Sequence, residues 1–336
     1  MIGLFIILLL VLFLPFTVKK VEHNLEVFLF IMGIAAAFAG GVFNKELLIK
    51  SLEDPINITL AVLVAGLLFK WFKTPLENGI RNISQRMPFS VFLALVVIVL
   101  GLLSSVITAI IAALVLVLIV SVLPLDRHSE IRFVVISCFS IGLGAALTPI
   151  GEPLSTIVVS KLNGDFFYLL KLVGPYIIPG VIVLGILAAI QIKPVTAKRG
   201  LSNKDEAESY EDILVRAIKI YLFVMGLTML GAGFEPLINK YIIGLNEYVL
   251  YWINMLSAVL DNATLAAAEI SPAMPTETIK AILLGLLVSG GMLIPGNIPN
   301  IISAGKLYIT SREWARYGIP LGIMILAVYF VVLLFI

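Results

Sequence analysis

Long apolar runs alternate with short polar stretches from one end of the 336-residue chain to the other. A bilayer core about 30 Å thick takes roughly 20 helical residues to cross, and the runs at 2–18, 25–43, 56–72, 176–192, 214–233 and 319–336 approach that length. Four further apolar regions are interrupted. Residues 89–123 and 248–275 carry polar clusters at their centres, LLSSVIT and LSAVLDNAT, and are open to three readings: single long helices, two spans each, or re-entrant hairpins. Residues 132–160 and 278–307 are cut by Pro and Gly, in TPIGEP and LIPGNIPN. A proline removes a backbone donor and clashes with the preceding turn, so these segments predict discontinuous helices broken near mid-membrane. The fold class that follows is an all-α polytopic membrane protein.

The interrupted regions repeat. Under one offset Gly151-Glu152 falls on Gly296-Asn297, Lys161-Leu162 on Lys306-Leu307 and Pro175 on Pro320; under nearby offsets Pro75-Leu76 falls on Pro236-Leu237 and LLSSVIT on MLSAVLD. Each half reads span, interfacial piece, hairpin, broken helix, span. The expected organisation is a two-helix extension over 1–54, a first repeat over 55–192, a linker over 193–213 and a second repeat over 214–336. If each hairpin enters and leaves on one side while each broken segment crosses, eight crossings result and most of the 23 Lys and Arg gather on one side. Among them are Lys70, Lys73, Arg81 and Arg86, then the basic residues of the linker, and Arg312 with Arg316. The positive-inside rule makes that side cytoplasmic. The two repeats then start on opposite sides, as inverted-topology repeats, and both termini face outside a plasma membrane crossed many times.

Composition sharpens this picture. Hydrophobic residues make up 60% of the chain and charged residues 13%, against roughly 25% charged in soluble domains. The polar loops leave no room for a soluble catalytic domain. No phosphate-cradling Gly-Lys-Ser loop occurs, and no basic-aromatic face suits nucleic acid, so neither an ATP-driven pump nor an enzyme is expected. The one cysteine, Cys138, excludes an intramolecular disulfide.

An ionisable group at mid-membrane is costly and lines a cavity or meets a partner. Glu152, at the first break, and Asp261, followed by Asn262 in the second hairpin, are the two acids placed there. Around them stand hard oxygen donors: Thr148, Ser155 and Thr156 in the first half, and Asn262, Thr264, Asn297 and Asn300 in the second. Such donors suit a small hard cation, with Na⁺ as the bound and transported ion and no resident cofactor. Desolvation disfavours an ionised carboxylate and a bound cation favours it, so cation and proton compete. Exchange of Na⁺ or Li⁺ for H⁺ follows if the empty site must be protonated to cross; without that constraint the same residues serve a sodium-coupled symporter of a small anion such as a carboxylate. Glu152 could instead cap a half-helix. Glu269, beside Ser271-Pro272, reads as rim or loop, Asn254 as a helix contact, and Lys161 and Lys306 as matched interface residues.

TPIGEPLSTI and SAVLDNATLAAA resemble paired motifs of the ion transporter superfamily, which includes NhaD-type sodium/proton antiporters, ArsB-type arsenite permeases, citrate-metal transporters and sodium-coupled dicarboxylate symporters. The NhaD-type motifs are the most similar in wording: T-P-I-G-D-P corresponds to Thr148-Pro149-Ile150-Gly151-Glu152-Pro153 and an acidic D-N to Asp261-Asn262. The chain also resembles a short cation-transporter subfamily. Over about residues 55 to 336 the resemblance implies re-entrant hairpins, two inverted repeats, a homodimer, and an ion site built from hairpin tips and helix breaks. Glu152 stands where the NhaD-type motif has Asp, and the first hairpin has Thr108-Ala109 where the second has Asp261-Asn262. No clear Ser-Asn-Thr signature of the dicarboxylate branch is present.

Overall fold

A computed structural model of the chain describes residues 2–22, 24–194, 209–241, 245–260 and 262–335. Among the described residues there is no strand, and the chain is an all-α polytopic membrane protein. It opens with α1 (Ile2–Thr17), α2 (Lys19–Glu22) and α3 (Leu25–Ala39). A first series follows: α4 (Lys45–Gln85), α5 (Phe89–Ile107), α6 (Ala109–Val122), α7 (Arg127–Ala145), α8 (Pro153–Lys161) and α9 (Tyr168–Gln191). A second series repeats the order: α10 (Tyr210–Tyr241), α11 (Glu247–Ile253) running into a 3₁₀ turn (Asn254–Ala258), α12 (Asn262–Glu269), α13 (Thr276–Gly290), a 3₁₀ turn (Ile294–Gly296), α14 (Ile298–Leu307) and α15 (Ser311–Leu334).

Four helices are individually long and apolar enough to cross a bilayer: α5, α9, α15 and the Tyr210–Leu237 part of α10. The expected spans at 2–18 and 25–43 form helices of only 16 and 15 residues, about 24 and 22 Å long at 1.5 Å per residue. The chain between 44 and 85 departs from expectation as well. Instead of a span from residue 56 and a separate piece after Pro75, α4 is one 41-residue helix that keeps Pro55 and Pro75 inside it. The Asn44 side chain starts it by accepting from the Leu47 amide at 2.8 Å, and the proline sites remain local defects of the kind membrane helices tolerate. The boundary expected between residues 54 and 55 therefore lies within a helix.

The centre of the molecule belongs to α7 and α13. From Glu130 to Ala145 every residue of α7 except Arg132 is buried, and α13 is buried from Thr278 to Gly290 apart from Lys280. Helices apolar on all sides end up enclosed by others. Around them the packing is exchanged between the halves: α6 lies on α14 while α12 lies on α8, and α4 contacts α6 as α10 contacts α12. The N-terminal helices are fastened to the second half by small residues. A Cβ added to Gly33 would collide with the backbone of Gly226, and one added to Gly40 with Gly233. Glycines seven apart share a helix face, and on α3 and α10 they let the two backbones touch.

Candidate functional site

The two breaks are built alike. Glu152 precedes α8 with φ −156° and ψ 161°; Asn297 precedes α14 with φ −155° and ψ 148°. Proline follows at once in α8, as Pro153, and one residue later in α14, as Pro299, where the first turn needs no amide donor. The glycine before each lies against the last carbonyl of the preceding half-helix, Gly151 on Ala145 and Gly296 on Gly290, too close for any side chain. That same carbonyl takes a hydrogen bond from a matched residue of the following half-helix. The Ser155 hydroxyl donates to Ala145 at 3.5 Å, and the Asn300 amide donates to Gly290 and to Leu293 at 2.8 Å each. Each pre-break helix is also bonded to its preceding neighbour in a matched way, from Ser104 to the Ile141 carbonyl and from Ser257 to the Leu286 carbonyl, both at 2.9 Å.

The α5–α6 pair breaks at Thr108, which adopts a φ of 77°, a region unfavourable to a β-branched residue. The Ala109 amide just after it donates to the Gly151 carbonyl at 2.9 Å, tying the start of α6 to the first break. In the second half the Trp314 indole, fully buried, donates to the Gly291 carbonyl at 3.1 Å and holds the second break in place. Its position on α15 carried no signal of this role in the sequence.

An open cleft of about 390 Å³ lies where these features meet, enough for roughly a dozen waters at their liquid volume. Glu152 and Thr156 line it from the first break, Asn297 from the second, and Thr108 with Ala109 from the start of α6. Three helices, α6, α8 and α14, thus begin at its wall. Glu152 is only 6% exposed, and although it occupies the N-cap position of α8 its side chain makes no capping hydrogen bond. The capping role considered from sequence is therefore not what its carboxylate does here. Asn297 is buried with its amide against Gly142 of α7, which makes the second half's side chain part of the first half's wall.

Behind the cleft is a second, enclosed layer. Asn300 is fully buried, and with its amide nitrogen used twice its Oδ1 has no hydrogen-bond partner. The Asn262 amide nitrogen is likewise buried and unpartnered and lies near Gly290. The remaining expected residues divide differently. Thr148 is buried and donates to the Ser105 carbonyl, which gives it a structural task. Ser155 faces the Ala145 carbonyl, and Thr156 donates to the Pro149 carbonyl at 2.6 Å from the cleft wall. Asp261 lies outside the described residues, and so does the side chain of Thr264. Among the described residues no three His, Cys, Asp or Glu side chains gather as a transition-metal site would require.

Sequence reasoning placed Glu269 at a rim or in a loop. It is the last residue of α12 and only 3% exposed. The prolyl turn at Ser271-Pro272 follows it, but the packing of α12 against α8, α10 and α13 buries it.

Fold and cleft together define a polytopic α-helical membrane protein whose two broken helices meet at an open cleft holding Glu152 and Asn297. Over residues 1–336 the chain matches the family model described as Protein of unknown function (DUF1646), and it belongs to that family. No curated protein matches it.

Proposed function

We propose that the protein is a secondary transporter that exchanges Na⁺ or Li⁺ for protons across the plasma membrane by alternating access. The observation that carries this reading is the meeting of Glu152, from the first half, and Asn297, from the second, at matched half-helix starts in one cleft. Discontinuous helices of this kind offer an ion free carbonyls and helix ends near the midplane, and alternating access is then motion of one half against the other around that site. A carboxylate there neutralises a monovalent cation when ionised and carries a proton when the cation leaves. Asn297, Thr156 and the backbone of the breaks supply neutral oxygen ligands of the hardness such an ion prefers. The half-order repeated from α4 to α9 and from α10 to α15 supports a pair of repeats, and the bias of Lys and Arg to one side supports their being inverted.

One observation favours a second reading. Three helix N-termini face the cleft, and their partial positive charge attracts anions; a sodium-coupled symporter of a small carboxylate would use them for its substrate. Glu152 stands among those same N-termini and offsets their charge, which favours the cation. Vesicles containing the protein and an internal pH dye separate the two. For the exchanger, Na⁺ or Li⁺ added outside drives proton movement, and Glu152→Gln abolishes it. Sodium-dependent uptake of a labelled dicarboxylate without proton movement would replace it with the symporter.

A further inference from the structure

We propose that Glu269, with Asn254 beside it, forms a second ionisable site of this protein, one that takes a proton and not a metal ion, separate from the cleft at Glu152. Glu269 is 3% exposed and Asn254 1% exposed. The Asn254 side chain lies alongside the carboxyl, yet neither carboxylate oxygen has a hydrogen bond of ordinary geometry, and the Asn254 Oδ1 also has none. The Asn254 amide nitrogen donates to the Ile282 carbonyl at a long 3.5 Å. An ionised carboxylate buried without donors costs several kcal/mol, at the order of magnitude expected for unpaired buried charges, whereas the neutral acid can donate to the vacant Asn254 oxygen.

The surroundings favour the acid in two further ways. Glu269 ends α12, where the helix carries partial negative charge and repels a carboxylate. The charged groups on the packed neighbours bond to backbone or to each other, or lie nearer solvent. Lys161, at the end of α8, donates to the Ile270 carbonyl at 3.2 Å. On α13, Lys280 and Glu277 pair with each other at 2.9 Å. None of the described charged side chains of α10 is buried. Neither Glu269 nor Asn254 lines the open cleft where Glu152 and Asn297 meet.

The first half shows that this architecture does not require the pair. In the alignment that sets MLSAVLD on LLSSVIT, Asn254 corresponds to Gly101 and Glu269 to Leu116, which is fully buried. There Leu116 puts hydrocarbon where Glu269 would stand, and beside Gly101 the space is taken by the Ser140 hydroxyl, which donates to the Val97 carbonyl at 2.9 Å. That the proton on Glu269 takes part in exchange rests on the antiport reading above; that the site holds one does not.

Infrared spectra of the purified full-length protein at neutral pH test the site directly. On a Glu152→Gln background, which removes the acid of the cleft, a protonated-acid C=O stretch should be present, unmoved by added Na⁺, and lost when Glu269→Gln is added. In Asn254→Leu the band should persist but shift, as the acid loses its neighbour, which gives a readout should Glu269→Gln fail to fold. On that background, absence of the band, its survival when Glu269→Gln is added, or its loss on adding Na⁺ overturns the proposal; the first result would make Glu269 an ionised partner of Lys161. A band that behaves as stated in a protein showing no Na⁺-driven proton movement would leave this site standing and remove the antiport reading. The reverse pair of results would do the opposite.

Discussion

Ser155 and Asn300 hold matched places after the two breaks and do unequal amounts of work. The serine makes one long bond to the Ala145 carbonyl, while the asparagine makes two short ones, to Gly290 and Leu293, and leaves a buried oxygen unpartnered. Removing the amide in Asn300→Leu strands the Gly290 carbonyl, at about 1–3 kcal/mol, and leaves the Leu293 carbonyl only its bond from the Gly296 amide, whereas Ser155→Ala, which loses one 3.5 Å bond, should cost under about 1 kcal/mol. Thermal unfolding in detergent checks the ranking: a larger loss from Ser155→Ala would mean that the second break is not held by Asn300. Residues at the breaks were legible from sequence, since Pro and Gly flanking a polar residue inside an apolar run can hardly be read otherwise. Glu269 and Asn254 were not. Their importance lies in being buried against each other across the α12 break, and the nearby Ser-Pro pair resembles a loop boundary whatever packs over it.

At the level of elements, helix position followed from hydropathy, and helix extent did not. Apolar patterning marks where a helix is buried in lipid or protein, so the polar ends of α4, with its two internal prolines, looked like separate pieces. The contact of α3 with α10 was also hidden, because Gly33, Gly40, Gly226 and Gly233 lie in segments that never align with one another. Glycine there permits backbone contact, so Gly226→Ala forces the helices apart at an overpacking cost of about 1–3 kcal/mol. The melting temperature should fall accordingly, and an unchanged value would show that α3 is not seated on α10 as described. At the start of α7, the hydrogen bond to the Ser129 side chain holds the Asp126 carboxyl below its ordinary range, and its oxygen also accepts from the Ser129 amide at 3.3 Å. A carboxyl lowered on folding contributes stability that is fully present above its unfolded value of about 3.9 and is lost as pH falls through the lower folded value. Asp126→Asn should therefore flatten the acid side of a stability-against-pH curve while leaving neutral stability little changed. An equally steep acid loss in the variant would assign it to other groups. Asp126 is only partly buried, at a helix end, so solvent screening keeps the effect small.

Across the whole molecule, the repeat visible as short coincidences of sequence corresponds to matched hydrogen bonds and exchanged helix contacts. Gly151-Glu152 and Gly296-Asn297 align because the breaks need a glycine against a carbonyl and an extended residue before a half-helix. The chemistry at the extended residue is free to differ, and one half supplies an acid where the other supplies an amide. Coupling requires that the acid in this shared cleft take either a proton or a cation, never both. Purified protein in weakly buffered solution, titrated with Na⁺ while pH is followed, measures that competition without any membrane. The wild type should release protons as Na⁺ binds, with affinity weakening as the starting pH is lowered, and Glu152→Gln should release few or none. Sodium binding with no proton release, or release undiminished in Glu152→Gln, would contradict it.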